Sequence, residues 1–278
     1  AAAIDGFISE EEKLLLEKKG ETWTVNSKAE ARKSAVSFIV EIVSGMKIKS
    51  PVSDEMFQKE IADKNSEPVK VRVSGAKRRL TTFYMYHTDS NIYGNIMKLT
   101  PAAKPYILHL PGFEGNVGVV FTLNELYWQP FNVFNILPSE ISSITLQNLQ
   151  DTLSSFSVVS ERNGFYLTDT RDRLSGWDSS KVRRYITYFT HVPFENWALE
   201  LTGEDIKCII SKDPVYKIIV RTNDGHEVDL SLWQRLKEDN SIDTDRLWAK
   251  TADKDQLFVI RYFDIDPVLQ KRSYFFGQ

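Results

Sequence analysis

The chain holds one cysteine, Cys208, in 278 residues. An internal disulfide is therefore excluded, and so is a zinc site built on cysteine pairs. Cys208 lies in the apolar stretch IKCII, where a thiol is expected to pack as a small buried apolar group. No apolar run reaches the ~18 residues that a membrane-spanning helix needs, and no signal peptide is visible. The first residues are Ala1, Ala2 and Ala3, without a Met, as a processed or trimmed N-terminus would leave them. An anchor missing from this sequence therefore says nothing about the native protein. Positive charge is also scarce. The net charge is −3 and the pI near 5.9, too little basicity to grip a phosphate backbone by counterion release. The one basic cluster, Lys77-Arg78-Arg79, follows Gly75 and reads as a solvated hairpin turn.

Several chemical signatures are missing as well. No Gly-x-Ser-x-Gly elbow occurs, and no Walker spacing,. The four histidines, His87, His109, His191 and His226, include no i, i+4 pair that would set two metal ligands on one helix face,. His109 alternates with Ile107 in an apparent strand, and His226 follows a tight turn, where water would surround it.

What is present is ordinary globular material arranged in a repeating order. Hydrophobic residues make up 42% and charged residues 26%, enough to build a core in one large domain or two average ones. The segment LLLEKKGETWTVN (14–26) parallels FSVVSERNGFYLT (156–168), with Leu14, Leu16 and Trp23 matching Phe156, Val158 and Phe165. Both read as a β-hairpin with alternating apolar residues. A helix follows each. In the first, Ser27 and Glu30 have capping-box spacing, and Ala35, Phe38, Ile39, Ile42 and Met46 form an apolar stripe,. In the second, Asp178 to Ser180 supply cap candidates ahead of Val182, Tyr185, Ile186 and Phe189,. A second hairpin pair sets 69–85 against 217–233, with Val71 opposite Ile219 and Met85 opposite Trp233; Ser74-Gly75 and Asn223-Asp224-Gly225 mark the turns,. A last pair sets 95–110 against 246–261, with Ile96 opposite Leu247.

The predicted architecture is thus α+β: two tandem homologous units, each a mainly antiparallel sheet with a helix packed on one face. Their ranges are 1–134, including a connector with a short helix near Leu123 to Trp128, and 135–278. Each unit reads strand, strand, helix, irregular stretch, then four strands.

The loop PYILHLPGFEGNVG (105–118) resembles a nucleotide cradle at first sight. However, Gly112, Gly115 and Gly118 are spaced three apart and lie between hairpin-linked strands, not in a βαβ unit,. Backbone freedom at a junction is the expected role. Two acids, Asp264 and Asp266 in FDIDP, are two apart at an apparent strand end. Two carboxylates on one strand face could share a cation or a proton, whereas Pro267 points to a simple strand stop,. The mixed-charge run TDTRDRLSGWD (168–178) reads as a solvated loop. Trp23 and Trp233 match large apolar residues in the other half and read as core. Trp128 and Trp177 have no such explanation, and packing between domains or contact with a partner is expected of them,.

The segments ETWTVNSKAEARKSAVSFIVEIVSGMKIKSPVS, TFYM, PYILHLPGFEGNVG and LYWQPFNVFNILPSEISSITL resemble a bacterial domain-of-unknown-function family numbered 4340. Some of its members are described as auxiliary parts of ABC-type or gliding systems. The resemblance covers nearly the whole chain and rests on structural motifs, a Trp before a helix and a Pro-Gly-Phe after a strand. It implies a location in the bacterial cell envelope, periplasmic or surface-exposed. It also implies an N-terminal membrane anchor outside this sequence, and another envelope protein or membrane complex as partner. It carries over no catalytic residue. The expected function is a non-enzymatic envelope binding or scaffold protein with no catalytic, cofactor or metal residues and no nucleic-acid partner. The alternatives are a hydrolase of glycan or peptide using Asp264 and Asp266, or a sugar-binding module using exposed Trp rings.

Overall fold

The computed structural model describes residues 4–8, 12–75, 78–88, 95–162, 164–169 and 172–277. Ala1 to Ala3, Lys77 of the basic cluster, and Thr170 and Arg171 of the mixed-charge run lie outside the described residues. The chain divides into two compact units, Ala1–Pro130 and Phe131–Gln278. The fold is mixed α+β, with antiparallel sheets and few helices.

The first unit contains β1 (Ile4–Ile8), β2 (Lys13–Lys19), β3 (Thr22–Val25), β4 (Ala29–Glu30), α1 (Lys33–Gly45), β5 (Lys47–Pro51), α2 (Asp54–Phe57), β6 (Val69–Ser74), β7 (Arg79–Tyr86), β8 (Asn95–Lys98), β9 (Tyr106–His109) and α3 (Glu125–Trp128). Its sheet has the order β4-β3-β2-β1-β6-β7-β8-β9-β5. Strict alternation in β6 buries Val69, Val71 and Val73 and leaves Lys70 and Arg72 half-exposed on the other face. Each such aliphatic side chain contributes roughly 1.5–3 kcal/mol on full burial. Helix α1 lays Ala35, Val36, Ile39 and Ile42 on that inner face beside Phe83, Met85 and Trp128.

The second unit contains β10 (Asn132–Phe134), β11 (Ile141–Asn148), β12 (Phe156–Glu161), β13 (Gly164–Thr168), α4 (Ser179–Thr187), β14 (Val192–Pro193), β15 (Asn196–Trp197), α5 (Gly203–Ile210), β16 (Tyr216–Thr222), β17 (Glu227–Leu236), β18 (Ile242–Thr251), β19 (Phe258–Arg261) and α6 (Tyr262–Ile265). Its larger sheet has the order β13-β12-β11-β16-β17-β18-β19-β15. Read outward from the third strand, this order parallels that of the first unit, minus a counterpart of β4. Helix α4 begins where Asp178 accepts a bond from the Ser180 amide, and it buries Val182, Tyr185 and Ile186. The Tyr185 ring packs edge-on against Phe156, Phe189 and Phe275.

Three sequence expectations need correction. Ser27 and Glu30 do not cap a helix. Asn26 and Ser27 adopt φ of 50° and 57°, Ser27 Oγ donates to Glu17, and Glu30 joins strand β4 opposite Thr24. The helix starts later, after Arg32, with no side-chain cap bond. Second, each sheet holds strands that the repeat pattern omitted, β1, β4 and β5 in one unit, β11 and β15 in the other. Third, the letter match of the second hairpins sets an inward residue against an outward one. Val71 faces inward opposite Phe83. Ile219, which the letter match set against it, is half-exposed, whereas its neighbour Ile218 is buried opposite Leu230. A one-residue shift exchanges the faces of a strand, so burial settles the register where letter matching does not.

Candidate functional site

The glycine loop is a packing device. Phe113 donates its amide to the Leu110 carbonyl at 3.0 Å, closing a turn in which Gly112 takes φ +82°, a region glycine enters at no steric cost. Asn116 Oδ1 accepts both the Gly118 amide (2.8 Å) and Asn95 Nδ2 (2.6 Å). That amide, which a phosphate cradle would aim at its ligand, is thus engaged internally. A Cβ on Gly118 would fall 2.0 Å from Asn95 Oδ1. Close approach of a buried side chain, not backbone freedom, fixes this glycine.

The paired carboxylates do not share a face. The strand ends at Arg261, and Asp264 lies in α6. With 3.6 residues per turn, positions two apart point to nearly opposite sides. Asp264 is held by Arg261 through Nε at 2.8 Å and Nη2 at 3.3 Å, whereas Asp266 is exposed at the helix end. Cys208 is exposed on α5, not buried. Among the described residues no group of three His, Cys, Asp or Glu is placed to hold a metal ion; His87, His191 and His226 are exposed. His109 is half-buried, and its Nδ1 has no hydrogen-bond partner among the described residues.

Trp128 is fully buried in the first unit's core and donates Nε1 to the Thr122 carbonyl. It is therefore not free for a partner. Trp23 packs at the edge of that core, and Trp233 anchors a smaller cluster with Ala198 and Leu257. Trp177 behaves differently. Half-buried, it lines a cleft of about 390 Å³ between the first half of β13 and the start of α4, together with Gly164, Phe165, Ser179, Val182 and Arg183. The floor is aromatic and aliphatic, and the one charge in the lining is the exposed Arg183 guanidinium.

This cleft adjoins a sheet edge. β13 is the terminal strand of its sheet. Its outer side is engaged at Leu167, whose carbonyl accepts the Leu174 amide, and at Asp169, whose amide donates to Asp172. By strand parity the N–H and C=O of Phe165 also point outward, and among the described residues nothing pairs with them. The first unit treats the same place differently. There Trp23, opposite Lys18 as Phe165 is opposite Ser160, has its carbonyl bonded to the Ala31 amide at 2.7 Å, and β4 covers the edge. In the second unit Gly176 at φ +81° turns the chain aside, and Trp177 bridges to Phe276 instead. Sequence reading flagged Trp177 but missed Arg183 and the open edge; a strand edge becomes visible only once pairing is known.

A second ionic feature lies near β19. Glu195 receives Arg246 through Nε at 2.6 Å and Nη2 at 3.1 Å. These bonds, with the charges of Arg246 and Arg261, hold the Glu195 carboxyl below its usual range,. Arg235 reaches Asp243 at 3.3 Å and lies over the Trp248 ring. With Asp264 on Arg261, the six charges neutralise one another in three pairs, so the cluster fastens the end of the sheet,. Among the described residues no helix is long and apolar enough to cross a membrane.

No family model matches the chain. No curated protein and no solved structure is significantly similar to it.

Proposed function

We propose that the chain is a non-enzymatic binding or scaffold protein of the bacterial cell envelope, made of two tandem homologous α+β units. On this reading it belongs with the envelope family numbered 4340 and works beside another envelope protein or membrane complex. The observation that carries the reading is the parallel order of strands in the two sheets, with Leu14, Leu16 and Val25 of one unit and Phe156, Val158 and Leu167 of the other buried at matching positions. Residues that looked like reagents support it by being structural: Gly118 gives way to Asn95, Asp264 holds Arg261, and Trp128 fills a core. A copied unit that has left one sheet edge open is suited to contact, because edge strands present unsatisfied backbone groups.

The test has two arms. The chain, immobilised through its N-terminus, is exposed to a detergent-solubilised envelope extract, and the retained proteins are quantified with and without excess free chain. The same preparation is incubated with glycan and peptide libraries. The reading expects saturable retention that free chain competes away, and no new hydrolysis product. Products that vanish in Asp264→Asn would replace it with the hydrolase reading.

A further inference from the structure

We infer that the outer edge of β13 at Gly164 and Phe165, with the cleft beside it, is a docking site for an extended peptide segment of a partner protein, one that carries an apolar side chain next to a carboxylate. This deepens the binding reading above and rests on it. Three observations converge. In the first unit the chain occupies the corresponding edge itself: Ala29–Glu30 pairs with β3, and Ala31 donates to the Trp23 carbonyl. In the second unit Arg173 and Leu174 pair at Thr168 and Leu167, and the segment then leaves for Phe276, so the outward N–H and C=O of Phe165 stand open. Beside them lies a cleft of about 390 Å³ walled by Phe165, Trp177 and Val182.

The charge pattern selects the occupant. Arg183 lines the cleft, and the exposed Arg162 follows β12 nearby in the chain. The closest acid in sequence, Glu161, is already held by both terminal nitrogens of Arg173 at 3.2 and 2.9 Å. Asp178, between the lining residues Trp177 and Ser179, is turned to the Ser180 amide, so an incoming strand meets the exposed Arg183 guanidinium beside a hydrophobic hollow. Main-chain bonds to Phe165 supply affinity, and the alternate side chains supply selection. Unit one's own occupant, Ala-Glu-Ala at 29–31, shows the same alternation of apolar and acidic residues.

The probe is a fluorescein-labelled synthetic peptide of alternating Val and Glu, titrated with the full chain and read by fluorescence anisotropy. Phe165→Pro removes the outward N–H at an edge position where proline is tolerated, and Arg183→Glu reverses the charge; both are checked for folding by circular dichroism. Each variant is expected to bind at least roughly tenfold more weakly, a loss of about 1.4 kcal/mol. The same peptide N-methylated at its central Val, tested on the unaltered chain, is expected to lose binding to a similar degree, so the result does not hinge on either variant folding. Absence of binding, or equal binding by all forms, overturns the site. So does a chain that sediments as a dimer and becomes a monomer in Arg183→Glu, because the edge would then hold a second copy. If the peptide is ignored while the extract still yields a competable partner, the edge site falls and the binding reading stands. Asp264-dependent hydrolysis removes the binding reading whatever the peptide does.

Discussion

Gly118→Ala separates packing from ligand binding at the glycine loop. The new Cβ would lie 2.0 Å from Asn95 Oδ1 and 2.3 Å from its Cγ, so Asn95 must move. Asn95 is fully buried at the inner face of the sheet, and its Nδ2 would leave Asn116 Oδ1, now 2.6 Å away. Overpacking of this kind costs about 1–3 kcal/mol, and the lost buried hydrogen bond about 1 kcal/mol more. A loss of about 2–4 kcal/mol is therefore expected. The φ of Gly118 is not in the left-handed region, so backbone strain does not confuse the result. Urea unfolding followed by the fluorescence of buried Trp128 reads the stability of the first unit. A second measurement fixes the cause: with Asn95→Ala already in place the methyl has room, and Gly118→Ala should then cost less than about 1 kcal/mol. An unchanged urea midpoint, or the same penalty in both backgrounds, would refute this account of the glycine.

Three other outcomes follow from the same geometry. Cys208, exposed on α5, should react with a thiol reagent in the native chain to the same extent as in urea; protection in the native state would contradict its placement. Tyr185→Phe should destabilise the second unit by about 1–2 kcal/mol, because the fully buried hydroxyl donates to the Val268 carbonyl at 2.9 Å; an unchanged midpoint would deny that bond. Glu195→Gln should alter the pH dependence of stability. The folded carboxyl sits below its ordinary value because Arg246 and neighbouring arginines favour the charged form. Its contribution is hence complete above the unfolded value, about 4.3, and fades as pH falls through the lower folded value. The gap between parent and variant, small because both partners are solvated, should close on acidification in urea titrations run from neutral pH downward. A gap that widens instead would reverse the sign of the argument.

Local chemistry alone decided much of this molecule. Alternation placed Leu14 and Leu16 in the core; the 3.6-residue period put Ile39 and Ile186 on buried helix faces; Asp178 capped α4 and Gly225 made the turn before β17. Those signals are carried by neighbours in sequence, so they survive without coordinates. The short helix at Trp128 was legible for the same reason. Other features depend on partners far along the chain. Whether Ser27 starts a helix or a turn was settled by Glu17 and by pairing with β3. The face of Ile219 was set by its neighbours in the sheet, since a strand of consecutive apolar residues fits either register. Asp264 and Asp266 shared a face only while that segment was read as a strand. The open edge at Phe165 exists because the chain before α4 pairs with β13 only at Leu167 and Thr168 and then leaves for Phe276. Composition and period chose the elements; long-range hydrogen bonding decided which edges are covered and which charges remain available for contact.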